Sequence, residues 1–458
     1  MANTLLTISQ ITNRGLPVLA NLLVLTDKFN RQYDREFGQK GKKIGATCNI
    51  RIPPRYIGTF GPALNVEPST ETYVPVSILY QFHVDIQFNT INMVLDIDEF
   101  EDRFIKPACI AVANRIDSDG AYFALQNTAN RGGTPGTIPG STGTAQTQLL
   151  LFSTARAVLV SEGMPAGVMP VSVLHPLASS NMQAVLSGLY NPQARISEYF
   201  ETGMVAKKTA GADWFEDPNI ASYTTGSLLG TPVVDTSPGS AYLTSGWSQT
   251  GTLTLSGLTG SSAAAQVGDT LQIANVYPVN PQNRGQYGNS PKQFVVLPPG
   301  GYAQMTGAAT PGGPQFAPAT LTNGTFNATT GLYTANSSGV LDLTIGECVV
   351  TGGQFQNCVI TSGTSIAGKA VTLNGGATLG TNSTENLYFH RDAYAMAMVD
   401  LPLPRTAVEA SRAYDDDLGI AIRVATQYTI NNDAEPTRMD VAYGFASLYR
   451  SLGYRVSG

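Results

Sequence analysis

The chain has 458 residues, enough for two or three domains with a sizeable buried core. Charged residues make up only 13% of it, roughly half the usual share, whereas glycine (47) and proline (27) are plentiful. The net charge of −6 argues against a nucleic-acid-binding face, because phosphate contacts need clustered lysine and arginine. We interpret the densest positive run, Lys40, Lys42 and Lys43, as a solvated loop.

The cysteines and histidines argue against a metal centre. Cys48, Cys109, Cys348 and Cys358 form no CxxC pair, and the chain has three histidines, so we expect no zinc site. Cys348 and Cys358 could meet across a hairpin, but without a secretory context we expect reduced thiols. We see no signal-peptide pattern and no stretch near eighteen apolar residues, so we expect a cytoplasmic protein without membrane segments.

The first forty residues are predicted to be helical. Leucine and isoleucine recur at helical spacing from Leu5 to Leu25, with an interruption at Gly15–Pro17. A charged stretch, 27–43, follows. The apolar surface is too small for a separate core, so we expect this segment to lie along another part of the protein.

Two strands come next. Cys48–Ile52 alternates and stops at Pro53, and the segment 55–72 has the glycine, proline and polar residues of a hairpin tip. The second strand, Val74–Phe88, has an apolar residue at every other position over roughly 50 Å of extended chain. A two-stranded ribbon is marginal in water, so we expect its apolar row to be covered, in this molecule or in a neighbour.

A long helix is predicted over Asp96–Leu125. Carboxylates crowd its start and complement the helix dipole, and apolar residues follow at steps of four. Pro107 predicts a bend, because an interior proline costs ~3 kcal/mol in a straight helix. Further signals indicate a linker (131–144), a helix (149–161), a strand (168–174), a helix (179–190) and a helix or ordered loop (193–214).

The composition then changes. Residues 231–385 contain few charges and many short alternating runs bounded by glycine, asparagine or proline, which predicts a separate, inserted all-β unit. The runs are Leu253–Leu255, Leu271–Ile273, Phe294–Val296, Leu341–Ile345 and Val371–Leu373. A hairpin closes the chain: a strand carrying Ile420, Ile422, Val424, Tyr428 and Ile430, a turn at 431–433, and a strand near Arg438–Tyr443.

Several segments, spread in order from end to end, resemble the P22-type podophage coat proteins. They are Met1–Leu6, Ile105–Ala108, Ala113–Asp117, Val276–Pro281, Asn386–Ala393, Val399–Pro404 and Arg438–Gly444.

This resemblance implies an α+β, HK97-like capsid fold with an inserted all-β domain. The implied parts are an N-terminal arm (1–40), an extended β-hairpin loop (41–92), a peripheral domain with a long spine helix (93–129), an axial domain (130–230), the insert (231–385) and a return to the axial and peripheral domains (386–458).

The resemblance also implies a function: a major capsid protein of a tailed double-stranded DNA phage, self-assembling as pentamers and hexamers into an icosahedral shell in the host cytoplasm. Implied partners are a scaffolding protein, a portal protein and packaged DNA bound without sequence specificity; whether a decoration protein binds the insert is left open. Residues expected at the contact between subunits are Val74, Val76, Ile78, Tyr80, Phe82, Val84, Arg51 and Arg55. We expect Phe82→Asp or Val84→Asp to block assembly more than folding.

The motifs that could indicate an enzyme are better explained as structural features. Gly363–Ala370 resembles a phosphate-binding loop, but alanine follows Lys369 and then a strand, so we predict a hairpin turn. The carboxylates of 96–102 are interpreted as helix caps, and His175 and His390 as structural, since neither lies near a GxSxG motif. We therefore expect no cofactor and no enzyme activity. The alternatives are a β-rich tail or adhesin protein, and a glycan-acting enzyme whose paired carboxylates we cannot place.

Overall fold

The computed structural model describes residues 8–31, 47–89, 104–165, 167–187, 211–301, 316–374, 380–404, 407, 409–415, 419–429 and 434–458. It has few helices and many strands, as expected for the α+β class. Two compact units divide the chain. The smaller unit comprises residues 1–50, 75–121 and 395–446, and the larger unit comprises residues 51–74, 122–394 and 447–458.

The α-helices of the described residues are α1 (Ile8–Leu22), α2 (Lys106–Asn127), α3 (Ala145–Ser161) and α4 (Pro176–Ser187). The strands up to the middle of the chain are β1 (Thr47–Ile52), β2 (Thr72–Ser77), β3 (Tyr80–Asn89), β4 (Asn130–Gly132), β5 (Val171–Leu174), β6 (Asp213–Glu216), β7 (Ser222–Thr224), β8 (Gly230–Val234), β9 (Tyr242–Leu243), β10 (Thr250–Leu258), β11 (Ala264–Gln266), β12 (Thr270–Ile273), β13 (Val276–Pro278) and β14 (Gln293–Leu297). The remaining strands are β15 (Thr325–Asn327), β16 (Leu332–Thr334), β17 (Leu341–Gly346), β18 (Val349–Val350), β19 (Cys358–Ile360), β20 (Val371–Leu373), β21 (Asn382–Thr384), β22 (Asn386–Phe389), β23 (Tyr394–Met398), β24 (Glu409–Asp415), β25 (Ile420–Thr426), β26 (Ala434–Ser447) and β27 (Gly453–Val456).

Helix α1 packs against β24 and β25 of the smaller unit, as expected for a segment without its own core. Leu19 and Leu23 are buried. The predicted interruption was wrong, because the helix continues through Pro17 and loses only the hydrogen bond that the proline nitrogen cannot donate. The basic run around Lys42 lies outside the described residues.

The predicted hairpin is present, but the long second strand is not one strand. β1 pairs with β2, and β3 pairs with β26, so the ribbon changes partner between Ser77 and Tyr80. Gly444 permits this crossing, since a Cβ there would lie 2.1 Å from the carbonyl oxygen of Ser77. Of the two covers expected for the apolar row, the chain itself supplies one: Val74, Val76 and Tyr80 are buried within it.

The sheet of the smaller unit contains β23, β26, β25 and β24 in that order, with β3 also paired to β26. Its register aligns Val84 with Met439 and Phe82 with Val441. The terminal hairpin of β25 and β26 was predicted from alternation, but β24 was not. β25 ends at Thr426, so the predicted extension through Tyr428 is wrong; the proposed turn at 431–433 lies outside the described residues.

Helix α2 supplies the predicted apolar stripe. Ala108, Val112 and Ile116, four residues apart, are buried. Pro107 is the second residue of α2, and residues 104–105 directly before the helix form a π-helical turn, so the bend predicted at Pro107 stays a prediction. The acidic residues at 96–102 lie outside the described residues.

The larger unit contains a five-stranded sheet in the order β4-β27-β22-β5-β6. Helices α3 and α4 share a hydrophobic cluster with it, in which the rings of Phe152 and Trp214 lie 4.7 Å apart. Thr144 and Thr147 form a capping box that begins α3. Of the segment predicted at 193–214, residues 193–210 lie outside the described residues, and its end forms the start of β6 at Asp213.

All five alternating runs predicted between 253 and 373 belong to one six-stranded sheet in the larger unit, β20-β12-β14-β17-β10-β8. Smaller pairings complete the unit: β11-β16-β15, β13-β19, β18-β9 and β21-β7. The strands are therefore confirmed, while the domain boundaries at 231 and 385 stay predictions.

Candidate subunit-contact surface

The loop between β1 and β2 carries a conspicuous exposed apolar surface. Phe60 is fully exposed and Leu64 is 91% exposed, and Tyr56 and Val66 also face solvent. No residue from Tyr56 to Val66 is charged. We call this segment, 56–66, the apolar tip. Clustered exposed apolar residues of this kind mark interaction surfaces in soluble proteins.

Bonds between the two arms of the loop hold the apolar tip in place. The backbone N–H of Ile57 donates to the Glu67 carboxylate at 2.6 Å, and the Tyr56 hydroxyl donates to Ser69 Oγ at 3.1 Å. Nearer the strands, Arg51 and Glu71 form an ion pair at 3.4 Å. The ion pair is solvent-exposed and contributes little, whereas the Ile57–Glu67 bond is made to a charged acceptor at short distance.

The base of the loop contacts other residues of the larger unit. Gln354 Nε2 donates to the carbonyl oxygen of Pro68 at 2.8 Å. Arg55 lies close to Tyr449: burial raises the pKa of that tyrosine, and the positive charge of Arg55 opposes the rise. The arms of the loop are thus supported at their base, while the apolar tip extends without cover.

The predicted contact residues fall into three groups. Val74, Val76 and Tyr80 are buried within the chain, which leaves almost no side-chain surface for a second subunit. Ile78, Phe82 and Val84 are half-buried. Of the two arginines, Arg51 is exposed and Arg55 is partly buried. A contact role for this strand stays a prediction.

Sequence reasoning located the tip but missed its apolar residues. Phe60, Leu64 and Val66 lie inside the segment interpreted as a polar hairpin tip. The missed signal was large apolar side chains in a loop with no charge, because an ordinary solvated loop carries polar side chains in those positions.

A network of buried polar side chains lies in the larger unit, and its bonds are of the kind that stabilise a fold. Arg131 and Glu385 form an ion pair with both side chains almost fully buried. Arg131 also donates to the Tyr223 hydroxyl at 2.8 Å, and Ser457 donates to Glu385 at 3.0 Å. Removal of one partner of such a fully buried ion pair strongly destabilises a protein, because the other charge stays buried without a partner.

Both candidate catalytic histidines support backbone turns. Nδ1 of His390 accepts the backbone N–H of Asp392, and Nδ1 of His175 accepts that of Leu177, each at 3.3 Å. Burial lowers the pKa of His390. Each imidazole therefore holds, through a hydrogen bond, the backbone N–H of the residue two positions further along the chain.

The remaining chemical motifs give no site. Lys369 donates to the carbonyl oxygen of Ser362 and is followed by β20, as predicted for a turn. The four cysteines form no disulfide. Across the described ranges there is no group of side chains able to hold a metal ion, and no helix there is long and apolar enough to cross a membrane.

An exposed, uncharged apolar tip on a mixed α+β body is a surface suited to association with another protein surface. A family model described as P22 coat protein, gene protein 5, matches residues 58–311, more than half of the chain. The chain belongs to the P22 coat protein family, and it is a major capsid protein of a tailed bacteriophage. The match does not support the tail or adhesin alternative.

Solved structures similar to the chain come from other phages. One, from Mycobacterium phage Che8, has a TM-score of 0.42 and 10% identity, with 94% of this chain and 90% of that chain covered. The capsid of cyanophage P-SCSP1u has a TM-score of 0.39, 8% identity and coverages of 94% and 89%. The mature capsid of bacteriophage PhiM1 has a TM-score of 0.38 and 7% identity, with 94% of this chain and 88% of that chain covered. No curated protein sequence matches the chain.

Proposed function

We propose that this capsid protein assembles as pentamers and hexamers into an icosahedral shell, and that the apolar tip is a contact between adjacent copies. The observation that carries the proposal is the exposure of Phe60 and Leu64 on a loop held by its own cross-arm bonds. Because the loop is ordered before contact, little conformational entropy is lost on association.

Burial of one such side chain contributes ~1.5–3 kcal/mol. A shell repeats every contact many times, so a modest interface per subunit is enough for a stable particle.

The domain plan of the proposal is HK97-like. We assign an N-terminal arm (1–40), an extended loop (41–92), a peripheral domain with the spine helix (93–129), an axial domain (130–230), an insert (231–385) and a return segment (386–458). The paired β1 and β2, the long α2 and the six-stranded sheet of the insert are each consistent with this plan.

Partners and setting complete the proposal. A scaffolding protein guides assembly in the host cytoplasm, a portal protein occupies one vertex, and the shell encloses double-stranded DNA without sequence-specific binding. The net charge of −6 suits a container that does not adhere to DNA. The protein has no enzyme activity, in keeping with two histidines that hold backbone N–H groups.

The decisive experiment places a charge on the apolar tip. Phe60→Asp and Leu64→Asp are co-expressed with the scaffolding partner, and particles are counted by sedimentation and electron microscopy. Both should reduce closed shells at least tenfold while the thermal unfolding of the subunit stays unchanged, since both side chains are exposed. Thr70→Asp adds the same charge to an exposed position of the same loop outside the apolar tip and should assemble normally. Normal shell yield from Phe60→Asp would contradict the role of the tip.

A further inference from the structure

Arg455 on β27 is a fully buried arginine in the interior of the larger unit. None of its three guanidinium nitrogens, Nε, Nη1 and Nη2, has a hydrogen-bond partner among the described residues. An arginine side chain carries five N–H donors and no acceptor. Buried donors without partners are costly and rare in native proteins, so the guanidinium of Arg455 indicates a ligand that the chain itself does not supply.

Arg131 on β4 lies beside Arg455. The two residues are paired in the parallel register of β4 and β27, and their guanidinium carbons lie 5.7 and 5.5 Å from the centre of the Tyr223 ring. Nη1 and Nη2 of Arg131 donate to Tyr223 and Glu385, but its Nε is also buried without a partner among the described residues. Two adjacent guanidinium groups therefore hold four unpartnered nitrogens, all of them donors.

Glu385, the buried carboxylate of this cluster, is already engaged by other donors. Its Oε1 accepts from Arg131 and from the Ser383 hydroxyl, the latter at 2.6 Å. Its Oε2 accepts from the Ser457 hydroxyl at 3.0 Å. Glu385 thus balances the charge of Arg131 and makes no bond to Arg455.

Asp269 acts on Arg455 through its charge and not through a hydrogen bond. Its oxygens accept the backbone N–H groups of Gln266 at 2.7 Å and Gly226 at 3.1 Å. Burial raises the pKa of Asp269 to about 6, while these bonds and the charges of both arginines act in the opposite direction. Below that pH Asp269 is protonated, so the two arginines then share one carboxylate and the cluster holds an uncompensated positive charge.

The tyrosines near Arg455 do not supply the missing negative charge. The charge of Arg455 acts on the hydroxyls of Tyr223 and Tyr394, but burial raises the pKa of both well above neutrality. Both hydroxyls therefore stay protonated over the pH range in which Asp269 titrates.

We propose that the guanidinium of Arg455 binds a small inorganic anion of the halide class inside the larger unit. The unpartnered nitrogens are donors only, and an anion offers only acceptor sites, so the two match. A water molecule would bring hydrogens that need acceptors of their own, and the carboxylates of Glu385 and Asp269 already accept other bonds.

The position of the site gives the anion a structural role. Arg131 and Arg455 belong to the five-stranded sheet, and Asp269 directly precedes β12 of the six-stranded sheet. Gln293 of β14 donates to the carbonyl oxygen of Arg131 at 3.0 Å, which places the two sheets in contact there. An anion at Arg455 therefore balances charge where the two sheets meet and stabilises their packing.

Bromide is the probe, because its anomalous X-ray scattering identifies the ion directly. Crystals of the wild-type subunit are grown in sodium bromide at pH 5, where Asp269 is protonated. The proposal expects an anomalous peak within hydrogen-bonding distance of the guanidinium of Arg455. Electron density at Arg455 without an anomalous peak would mean that water meets the arginine, and it would overturn the proposal, as would bromide bound at the protein surface alone.

Calorimetry of free subunits at pH 5 tests whether the anion stabilises the fold. Replacing sodium gluconate by sodium bromide at constant ionic strength should raise the melting temperature of the wild type by about 2–4 °C at about five times the dissociation constant of bromide. Arg391→Met, at an exposed arginine of the same unit, should keep this shift, and Arg455→Met should lose it. Equal shifts in Arg455→Met and the wild type would overturn the proposal. If Arg455→Met does not fold, the anomalous peak in wild-type crystals decides.

Discussion

The Tyr443 hydroxyl donates a hydrogen bond of 2.6 Å to Oδ2 of Asp119, which joins β26 to α2 inside the smaller unit. Arg115 Nε lies 3.1 Å from the same oxygen. Burial raises the pKa of Asp119, and the hydrogen bond from Tyr443 and the charge of Arg115 act in the opposite direction. One carboxylate thus ties α2 to β26.

Tyr443→Phe should lower the free energy of unfolding by about 1–3 kcal/mol, because it removes a donor from a largely buried carboxylate. Without that donor the pKa of Asp119 rises further. A raised pKa of a carboxyl group costs stability only where the group is ionised. The loss of unfolding free energy in Tyr443→Phe should therefore be larger at pH 7 than at pH 4. Urea unfolding at the two pH values measures it. Tyr73→Phe, at an exposed tyrosine, is the control, and equal stability of the two variants would refute the role of the bond.

Asp440 on β26 is held by two arginines. Arg423 Nη2 lies 2.6 Å from Oδ2, and Arg438 Nε lies 2.7 Å from Oδ1. Burial alone would raise the pKa of Asp440, but the hydrogen bonds and charges of both arginines lower it below its ordinary value. A depressed pKa gives stability that is present above about pH 3.9, the unfolded value, and is lost as pH falls through the folded pKa.

Asp440→Asn should therefore destabilise the protein by about 1.5–3 kcal/mol at pH 7, and the difference should shrink below about pH 4. Denaturant titrations across pH 3–7 give the profile. Asp85→Asn removes a carboxylate whose side chain is 61% exposed and should change stability little. If the difference in unfolding free energy between Asp440→Asn and the wild type did not depend on pH, the charge of Asp440 would not be what stabilises this site.

Clear local alternation predicted several strands correctly, but it did not predict β24 or which strand each one pairs with. The run Leu341–Ile345 was recognised because apolar and polar residues alternate in the sequence itself, although every residue of β17 is buried in the folded chain. The change of partner between Ser77 and Tyr80 was missed, since side chains keep alternating through it while the backbone leaves β1 for β26. Pairing depends on residues hundreds of positions away, which one local pattern does not reveal.

The candidate surfaces show the same division. Glycine and proline predicted the loop, but the exposure of Phe60 follows only from what fails to pack against it. The buried pair of Arg131 and Glu385 had no signal in the sequence, because its members are 254 positions apart.

His390 makes the larger unit sensitive to mild acid. Its side chain is almost fully buried, and Nδ1 must stay unprotonated to accept the Asp392 N–H. Burial lowers the pKa of His390 from its ordinary value of about 6.5, and Asp392 partly opposes this. The unfolded chain therefore binds the proton first, so stability is present above about pH 6.5 and declines as pH falls toward the folded pKa.

His390→Asn keeps an oxygen that can accept the same N–H but does not titrate. Its melting temperature should change less between pH 7 and pH 5 than that of the wild type, measured by calorimetry in matched buffers. His83→Asn makes the same substitution at a histidine 43% exposed and is the matched comparison. Identical slopes for His390→Asn and the wild type would mean that proton uptake occurs elsewhere.

The bond between Glu67 and the Ile57 amide should govern how well the apolar tip is ordered before assembly. Glu67→Ala removes the acceptor, so hydrogen exchange at the Ile57 amide should accelerate roughly tenfold, the equivalent of ~1.4 kcal/mol. Shell yield should fall because each copy must then order its loop on contact. The unfolding free energy of the subunit should stay unchanged, since the loop is outside the core.

Glu67→Gln retains an acceptor oxygen, so its Ile57 amide should exchange, and its subunits should assemble, almost as in the wild type. Glu71→Ala breaks only the exposed pair with Arg51 and should have little effect. Unchanged exchange in Glu67→Ala would show that the tip is ordered by its glycine and proline turns alone.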